Sequence, residues 1–520
     1  MFIQTNSKNN KMIDIIFIAI IVLIIAVLCF NLFLFKKNDN VRNIKSIENA
    51  KHSSIAVLTG SNAENVAHEL FPEANILTYN LNSDALYAVD AGNAEYGMAL
   101  EFTIKDYNLS RGEEKIKVVG DSLDEKYTGI FFARNDKNKI VLAQFNDFID
   151  KIKNNGKLAE IENRWFNHNT ELRIMDFNKL NNSNGTLIYA VDATYPPYSY
   201  IYNNHVVGFD VEVVYMFCEE YNYGIDIKPI DFNGMLTGIK SGKFDIGGGG
   251  NAITDERKKS VDFSEPLRKN KMFLYAKNDY LNTSNYNVLG KVKDSFYKTF
   301  IQEDRYILFI DGLKATIFMS ICSIILGTIL SFIICLLRLT NSNVINKICD
   351  IYVSILEGVP ILVILLLLYY IIFNSNSLKG EYIAIIAFSL NFSAYVSETM
   401  ITAIKSVDIG QWEAAYALGF GYWTTFIKFV FKQSLIQIIP VYKGEVISLI
   451  KSTSIVGYIA VQDLTKMSDI VRSRTFEPFI PILSVALVYY LFSFLVAQVL
   501  NKVLFKFNWQ IKRISRVNKY

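Results

Sequence analysis

The sequence predicts a multi-domain chain: an N-terminal membrane anchor, an external two-lobed α/β domain, and an all-α bundle of five spans. Two observations predict it. Apolar residues make up 51% of the chain and are bunched into six runs, near 15–35, 313–337, 352–373, 382–404, 435–460 and 479–500. Each is long enough to cross a bilayer, whose ~30 Å of hydrocarbon takes roughly 20 residues at ~1.5 Å of rise. Between the first run and the second lies a long hydrophilic stretch in which short β-rich runs alternate with helical patterns, as in α/β domains.

Charge sets the orientation. The tail 501–520 carries Lys502, Lys506, Lys512, Arg513, Arg516 and Lys519 without an acid, which marks it as cytoplasmic. Counting back through five spans puts the α/β region outside and residues 1–12 inside. The run at 13–35 reads as an uncleaved anchor, since it exceeds the about 7–15 apolar residues of a signal peptide and lacks a small-x-small cleavage site. A net charge of +3 is close to balance and points to no nucleic-acid partner. Of five cysteines only Cys218 lies in the external region, so no disulfide and no metal-ligand cluster is expected there.

Within the external region, "SIAVLTGS" reads as a buried strand ending in a glycine turn. "NAENVAHELF" follows as a helix, with Ser61 and Glu64 at capping-box spacing. "GTLIYAVDA" is a second strand, "GFDVEVVYMFCEEYN" an amphipathic helix, and "IDIKPIDF", "NGMLTGIKSGK" and "FDIGGGG" continue the alternation. Polar joints at 168–184 and 281–304 divide the chain into 46–167, 185–280 and a membrane half, 305–500. In "VDATYPPYSY" a strand delivers Asp192 and Tyr195 to its C-terminal edge, where α/β proteins bind ligands. In "NAITDERKKS" a helix starts at Thr254 or Asp255 with Arg257 in its first turn. A helix N-terminus beside a guanidinium suits a carboxylate, because the fork matches two oxygens.

Together and in this order these segments resemble the family 3 solute-binding proteins of polar amino acid uptake systems, a periplasmic-binding-protein-like fold. The resemblance implies that Tyr195 and Phe232 sandwich the ligand, that Arg257 and the amides of Gly250 and Ala252 bind an α-carboxylate, and that Asp192 meets a polar side chain. Residues 46–167 resemble the family's second lobe and 185–280 its first. In "LTGSN" the amides of Ser61 and Asn62 would meet the carboxylate from the opposite side, and "KIKNNGKLAEIENRWF" resembles the closing helix. The piece that normally ends the fold therefore comes first, a circular permutation; a degenerate remnant of a tandem pair is the alternative. The position that usually carries the ammonium-binding aspartate holds Leu100, which makes Glu101 the candidate.

In the membrane half, "QWEAAYALGFGYWTTFIKFVFKQSLIQIIP" resembles the EAA loop of ABC importer permeases, with Glu413, Ala414, Ala415 and Gly419 forming a short helix on which a cytoplasmic ATPase pushes. The flanking "NFSAYVSETMITAIKSVDIGQWEAA" and "PVYKGEVISLIKSTSIVGYIAVQDL" resemble the His/Gln/Arg-type permeases, implying a five-span type I ABC permease. "LEGVP" stands at that family's Gly-x-Pro, with Glu357 in place of Arg or Gln. Ionisable residues within spans line paths or pair at interfaces; Glu398, Lys443, Glu445 and Lys451 are open to either role. No phosphate loop of the Gly-x-x-x-x-Gly-Lys-Ser/Thr kind occurs. The expectation is thus a non-enzymatic transport subunit without catalytic residues or a cofactor of its own. It would import a polar amino acid across the cell membrane with ATP and Mg²⁺ held by partner ATPase subunits, in a permease homodimer embedded in lipid. The rivals are a ligand-gated ion channel, which needs a filter that "STSIVGYIA" lacks, and a non-transporting sensor, for which the tail is too short.

Overall fold

The computed structural model describes residues 47–167, 172–278, 288–340, 342–374 and 378–517. The expected cytoplasmic N-terminus and anchor, 1–35, lie outside these residues, as do the side chains of the basic tail beyond 502.

Two five-stranded sheets form the external region. The first contains β1 (Ser54–Leu58), β2 (Asn75–Tyr79), β3 (Tyr96–Leu100) and β4 (Ile116–Thr128). The second contains β5 (Phe131–Phe132), β6 (Thr186–Val191), β10 (Gly224–Pro229), β11 (Ile246–Gly248) and β12 (Asp262–Phe263). A small sheet, β7 (Thr194–Tyr195), β8 (Ser199–Tyr202) and β9 (His205–Val207), leans on the second. The last strand, β13 (Arg268–Lys277), returns to the first sheet, giving orders β2-β1-β3-β13-β4 and β10-β6-β11-β5-β12. The chain therefore crosses between lobes at 128–131 and again at 263–268.

This partition differs from the expected division at 168–184. Residues 129–166 belong to the second sheet's lobe because their helices bury aromatic faces there. Phe145 and Phe148 of helix Asp136–Asn154 pack edge-on against Phe217, and Trp165 of helix Lys157–Phe166 against Tyr200. Trp165 also donates its indole N–H to the buried carboxylate of Glu212, 2.7 Å away. Residues 268–277 in turn complete the first lobe by pairing antiparallel with β3 and β4.

The membrane half is all α. Tyr306–Arg338, Gly380–Lys405 and Phe479–Lys502 are each long and apolar enough to cross a bilayer. Two further candidates are bent pairs: Asn343–Gly358 with Ile361–Ile372, at 105°, and Tyr422–Ile459 with Leu464–Thr475, at 54°. The first bend falls within the expected span at 352–373, whereas the second falls after the expected span at 435–460, which lies in the first arm of its pair. Pro360 breaks the first, since proline lacks an N–H and pushes its predecessor out of the helical region. The second loses its α geometry after Ser452, tightens through Thr453–Ile459, and ends at Ala460 in the left-handed conformation. Small residues let the long helices approach. At Gly327 an added Cβ would lie 2.8 Å from Phe392 Cδ1, and Ser389 turns its hydroxyl back onto the Ile385 carbonyl at 2.6 Å.

Candidate functional site

Between the two lobes lies a cavity of about 80 Å³. Its walls come from the C-terminal edges of the parallel strands, where unpaired backbone and helix starts converge. Of the residues singled out in sequence, Ser61, Asn62, Asp192, Tyr195, Phe232, Gly250, Ala252 and Arg257 all line it. Glu101 does not.

Arg257 owes its place to a cap. Thr254 Oγ1 accepts the Arg257 N–H at 3.3 Å and starts the short helix Asp255–Lys258. Its guanidinium lies 4.7 Å over the Phe232 ring and donates to the carbonyls of Ala252 (3.0 Å) and, across the cleft, Gly60 (3.2 Å). Burial pushes its pKa down to about 10, because among the described residues no carboxylate pairs with it. A half-buried, planar cation without a paired carboxylate among the described residues is suited to an incoming carboxylate.

The glycine turn is built differently from the expectation. Gly250 has φ +67°, and an added Cβ would lie 2.6 Å from Tyr198 Cδ2 and 2.8 Å from Tyr195 Cε1, so only glycine fits. Its N–H, however, is taken. Both Gly249 and Gly250 donate to Asp210 Oδ2 at 2.8 Å, which corrects the assignment of the Gly250 amide to the ligand. Asp210 is 1% exposed, and burial raises its pKa to about 6 against the pull of those two N–H groups. The turn is thus clamped from behind by a carboxyl group.

Asp192 follows β6 and is held by Thr194, whose N–H (3.0 Å) and hydroxyl (2.6 Å) both donate to Oδ1. Tyr195 stacks on Tyr198 at 5.9 Å with the planes 9° apart. Opposite, Ser61 caps helix Asn62–Leu70, accepting the Glu64 N–H at 3.3 Å. The reciprocal bond of the box comes from Gly60 rather than Ser61, donating to Glu64 Oε2 at 2.5 Å, because the Ser61 N–H bonds the Leu58 carbonyl. Glu101 opens helix Glu101–Arg111 on its solvent side and pairs with Lys105 at 2.7 Å, while Leu100 is the residue at the cavity.

The acid that does face the first-lobe wall is Asp124, which accepts from Asn62 Nδ2 at 2.6 Å and lies 3.5 Å from Lys126. Asn251 and Asn270 also line the cavity, 2% and 4% exposed, and each has a buried amide nitrogen without a partner. Asn270 Oδ1 accepts from Tyr198 and Arg268, which leaves its NH₂ to face something else. Buried donors of this kind are satisfied by a ligand or by water.

Both lobes stand on one helix of the membrane half, Leu464–Thr475. Its Lys466 pairs with Asp231 of the second lobe and its Arg472 with Asp84 of the first. A second chamber, of about 200 Å³, lies between the lobes and this helix, and shares Leu58, Asp192 and Phe232 with the ligand cavity. Deeper, two cavities of about 360 Å³ each share Glu357, Tyr395 and Glu445. Glu398 lines one of these but is paired with Arg338. Lys443 instead bonds Asn501 Oδ1 at 3.0 Å, and Lys451 is exposed away from both.

At the far end, helix Ile409–Ala417 is capped by Asp408 and released by Gly419 at φ +81°. Glu413 and Ala414 are exposed, whereas Ala415 is 3% exposed and packs on its own bundle. Around them Ile409, Leu418 and Trp423 are 72%, 75% and 60% exposed, an apolar tip with no partner in this chain among the described residues.

Residues 187–438 match the bacterial extracellular solute-binding proteins, family 3. The helical half is similar to the "Probable amino-acid ABC transporter permease protein YckA" of Bacillus subtilis (strain 168), 34% identical over 182 residues, covering 35% of this chain and 80% of that protein. It is also similar to the L-cystine transport system permease TcyB of the same organism, 32% over 201 residues with 38% and 86% covered. The arginine ABC transporter permease ArtQ of Haemophilus influenzae is 34% identical over 175 residues, with 32% and 77% covered. Among solved structures, an amino acid ABC transporter crystallised with histidines aligns over 43% of this chain and all of that one, at 27% identity and a TM-score of 0.37.

Proposed function

The chain belongs to the permease family of amino-acid ABC transporters, and from that premise we propose that it is a receptor fused to its own permease, with uptake driven by a separate ATPase. The observation that carries this is the double attachment of the lobes. Asp84 and Asp231 sit on different lobes, yet their partners Arg472 and Lys466 are less than two turns apart on one helix. Closing the cleft on a ligand changes the separation of the two acids, so ligand binding strains or relieves that helix, which continues the bent pair beginning at Tyr422.

The exposed apolar tip at Ile409–Ala417 supports the other half of the cycle. An apolar, short, glycine-ended helix is what a soluble motor would grip, and it directly precedes the bent segment, beginning at Tyr422, that ends in the helix under the lobes. Two copies of the chain form the pore in this scheme, since Glu357 and Ser448 of the membrane cavity remain exposed in one copy. The lobes face the outside and the tip and termini the cytoplasm. Arg257 binds the α-carboxylate, and Asp124, in place of Glu101, takes the α-ammonium.

Proteoliposomes carrying the full chain test the scheme. Radiolabelled amino acid should accumulate against a gradient only when an ABC ATPase subunit and ATP are present on the tip side. Uphill accumulation by the chain alone would overturn it.

A further inference from the structure

Two cavities meet at one short segment. The chamber beneath the lobes is lined by Ser454, Gly457 and Tyr458, and the membrane cavity below it by Leu449 and Ser452. The tightened segment Thr453–Ile459 is therefore the partition between them, and a solute that leaves the lobes for the membrane has to pass it. Pro360 and Ile361 line the same membrane cavity at the start of the arm Ile361–Ile372, whose far end meets the second lobe.

Tyr370 joins these two elements. It is buried and sits in the wide π-helical turn Leu368–Ile372. Its hydroxyl lies 3.2 Å from the Tyr458 carbonyl and 3.0 Å from the Gly234 carbonyl of helix Phe232–Ser241. A phenol has one proton to donate, so the two carbonyls compete for it. Tyr458 lies near the end of its segment, where carbonyls lack partners within the helix. A bond to Tyr458 ties the partition to the arm; a bond to Gly234 ties the arm to the receptor instead.

Helix Phe232–Ser241 is placed to decide between them. Its first residue, Phe232, lines the ligand cavity under the Arg257 guanidinium. Asp231, at the N-cap position, leaves the helix amides without a side-chain cap and pairs with Lys466, whose stem passes Gly457 of the partition. At the other end Asn374 donates to the Ser241 carbonyl at 2.8 Å, and Met235, Ile239 and Phe244 share a core with Tyr369. The helix thus lies along the arm with its start in the ligand site. A ligand that displaces Phe232 moves the Gly234 carbonyl, two residues on, against the Tyr370 hydroxyl.

We propose that Thr453–Ile459 is the outer gate of the solute path and that Tyr370 is the positioning residue that latches it. Its hydroxyl turns from the Tyr458 carbonyl to that of Gly234 when an amino acid fills the cavity, and the freed partition opens. This rests on the import scheme above and adds the step by which occupancy of the lobes clears the way to the membrane cavity.

Ser452→Cys, on the membrane side of the partition, reports the opening. In sealed proteoliposomes carrying the full chain, a membrane-impermeant methanethiosulfonate is added on the lobe side, and mass spectrometry of the peptide bearing residue 452 gives the rate of modification. An equimolar mixture of the protein amino acids should speed it. Tyr370→Phe in the same background should speed it about tenfold without amino acids, the worth of one hydrogen bond in an opening equilibrium, and leave little further response to them. Tyr352→Phe is the control, since that hydroxyl bonds the Leu390 carbonyl at 3.2 Å, away from the partition. An equal rate in Tyr370→Phe and its parent overturns the latch, as does an equal acceleration by Tyr352→Phe, which would make the effect a general loosening. A parent rate unmoved by the amino acids, in vesicles that still take them up with the ATPase, overturns the link to the lobes; vesicles that take up none overturn the import scheme itself.

Discussion

Replacing Arg257 by alanine separates a ligand receptor from a structural arginine. The guanidinium donates to two carbonyls, of Ala252 and Gly60, and lies on Phe232, but has no carboxylate partner among the described residues. Its charge is therefore a burden on the empty protein, as the fall of its pKa to about 10 shows. With an α-carboxylate bound, the fork gains two charge-assisted hydrogen bonds, each worth roughly 1.5–3 kcal/mol. Losing them should cost about 3–6 kcal/mol of binding, or roughly 10²- to 10⁴-fold in Kd. Arg257→Lys keeps a charge but not the fork, and should recover part of that loss. The empty Arg257→Ala protein should melt within a few degrees of the parent, because the bonds lost to two carbonyls are offset by removal of a half-buried cation without a carboxylate partner among the described residues. Titration calorimetry on the full chain, with melting curves beside it, reads both quantities. Unchanged affinity in Arg257→Ala would refute the carboxylate site; a collapse in melting temperature would make Arg257 a structural residue.

Three further outcomes are expected. Glu413→Lys alters an exposed helix that the binding lobes do not touch, so ligand affinity should hold while ATP-driven uptake stops; normal uptake would remove Glu413 from the coupling surface. Gly250→Ala places a Cβ within 2.6 Å of Tyr198 at φ +67° and should destabilise the lobe by about 2–3 kcal/mol, seen as a lower melting temperature, whereas a neutral result would mean the turn relaxes freely. The third concerns acidity. Asp210 titrates at about 6 in the folded lobe against 3.8 in a free chain. Folding therefore favours its protonated form: the contribution is full below about pH 4 and is lost as pH rises through 6, about 3 kcal/mol at ~1.4 per unit. Asp210→Asn keeps an acceptor for both glycine amides and should flatten that part of the profile of melting temperature against pH; an identical slope would clear Asp210 of the effect.

Local chemistry was legible in the sequence wherever a residue's neighbours fix its position. Asp192 and Tyr195 sit at a strand end, Arg257 one turn past a threonine cap, and Ser61 at a glycine turn, and each lines the cavity, although the Ser61 N–H expected to meet a carboxylate bonds the Leu58 carbonyl instead. What could not be read depends on register between distant segments. Asp124 and Asn270 reach the cavity because β4 pairs with β13, with an irregularity between Met272 and Leu274, and no local pattern in "GDSLDEKY" sets it apart from a solvated strand. The Gly250 amide is withheld from the ligand by Asp210, which reads in sequence as part of an ordinary helix start. The lobe boundary moved for a similar reason: Phe145 and Phe148 show an apolar face without showing which sheet it meets.

The seating of the lobes on helix Leu464–Thr475 has a consequence for how such a receptor is held. A freely diffusing receptor must find its permease at each encounter, and needs an interface strong enough to be populated at cellular concentration. Here the two are parts of one polypeptide, so the effective concentration is high whatever the strength of the seat. The seat, which joins the two ion pairs to Arg111–Glu477, to the Tyr370 hydroxyl on the Gly234 carbonyl and to apolar packing around Met235 and Phe244, can then shift in every cycle without losing the receptor. Raising ionic strength should loosen only the charged part of the seat, while the apolar part keeps the lobes close, and any reseating should proceed at a rate independent of protein concentration.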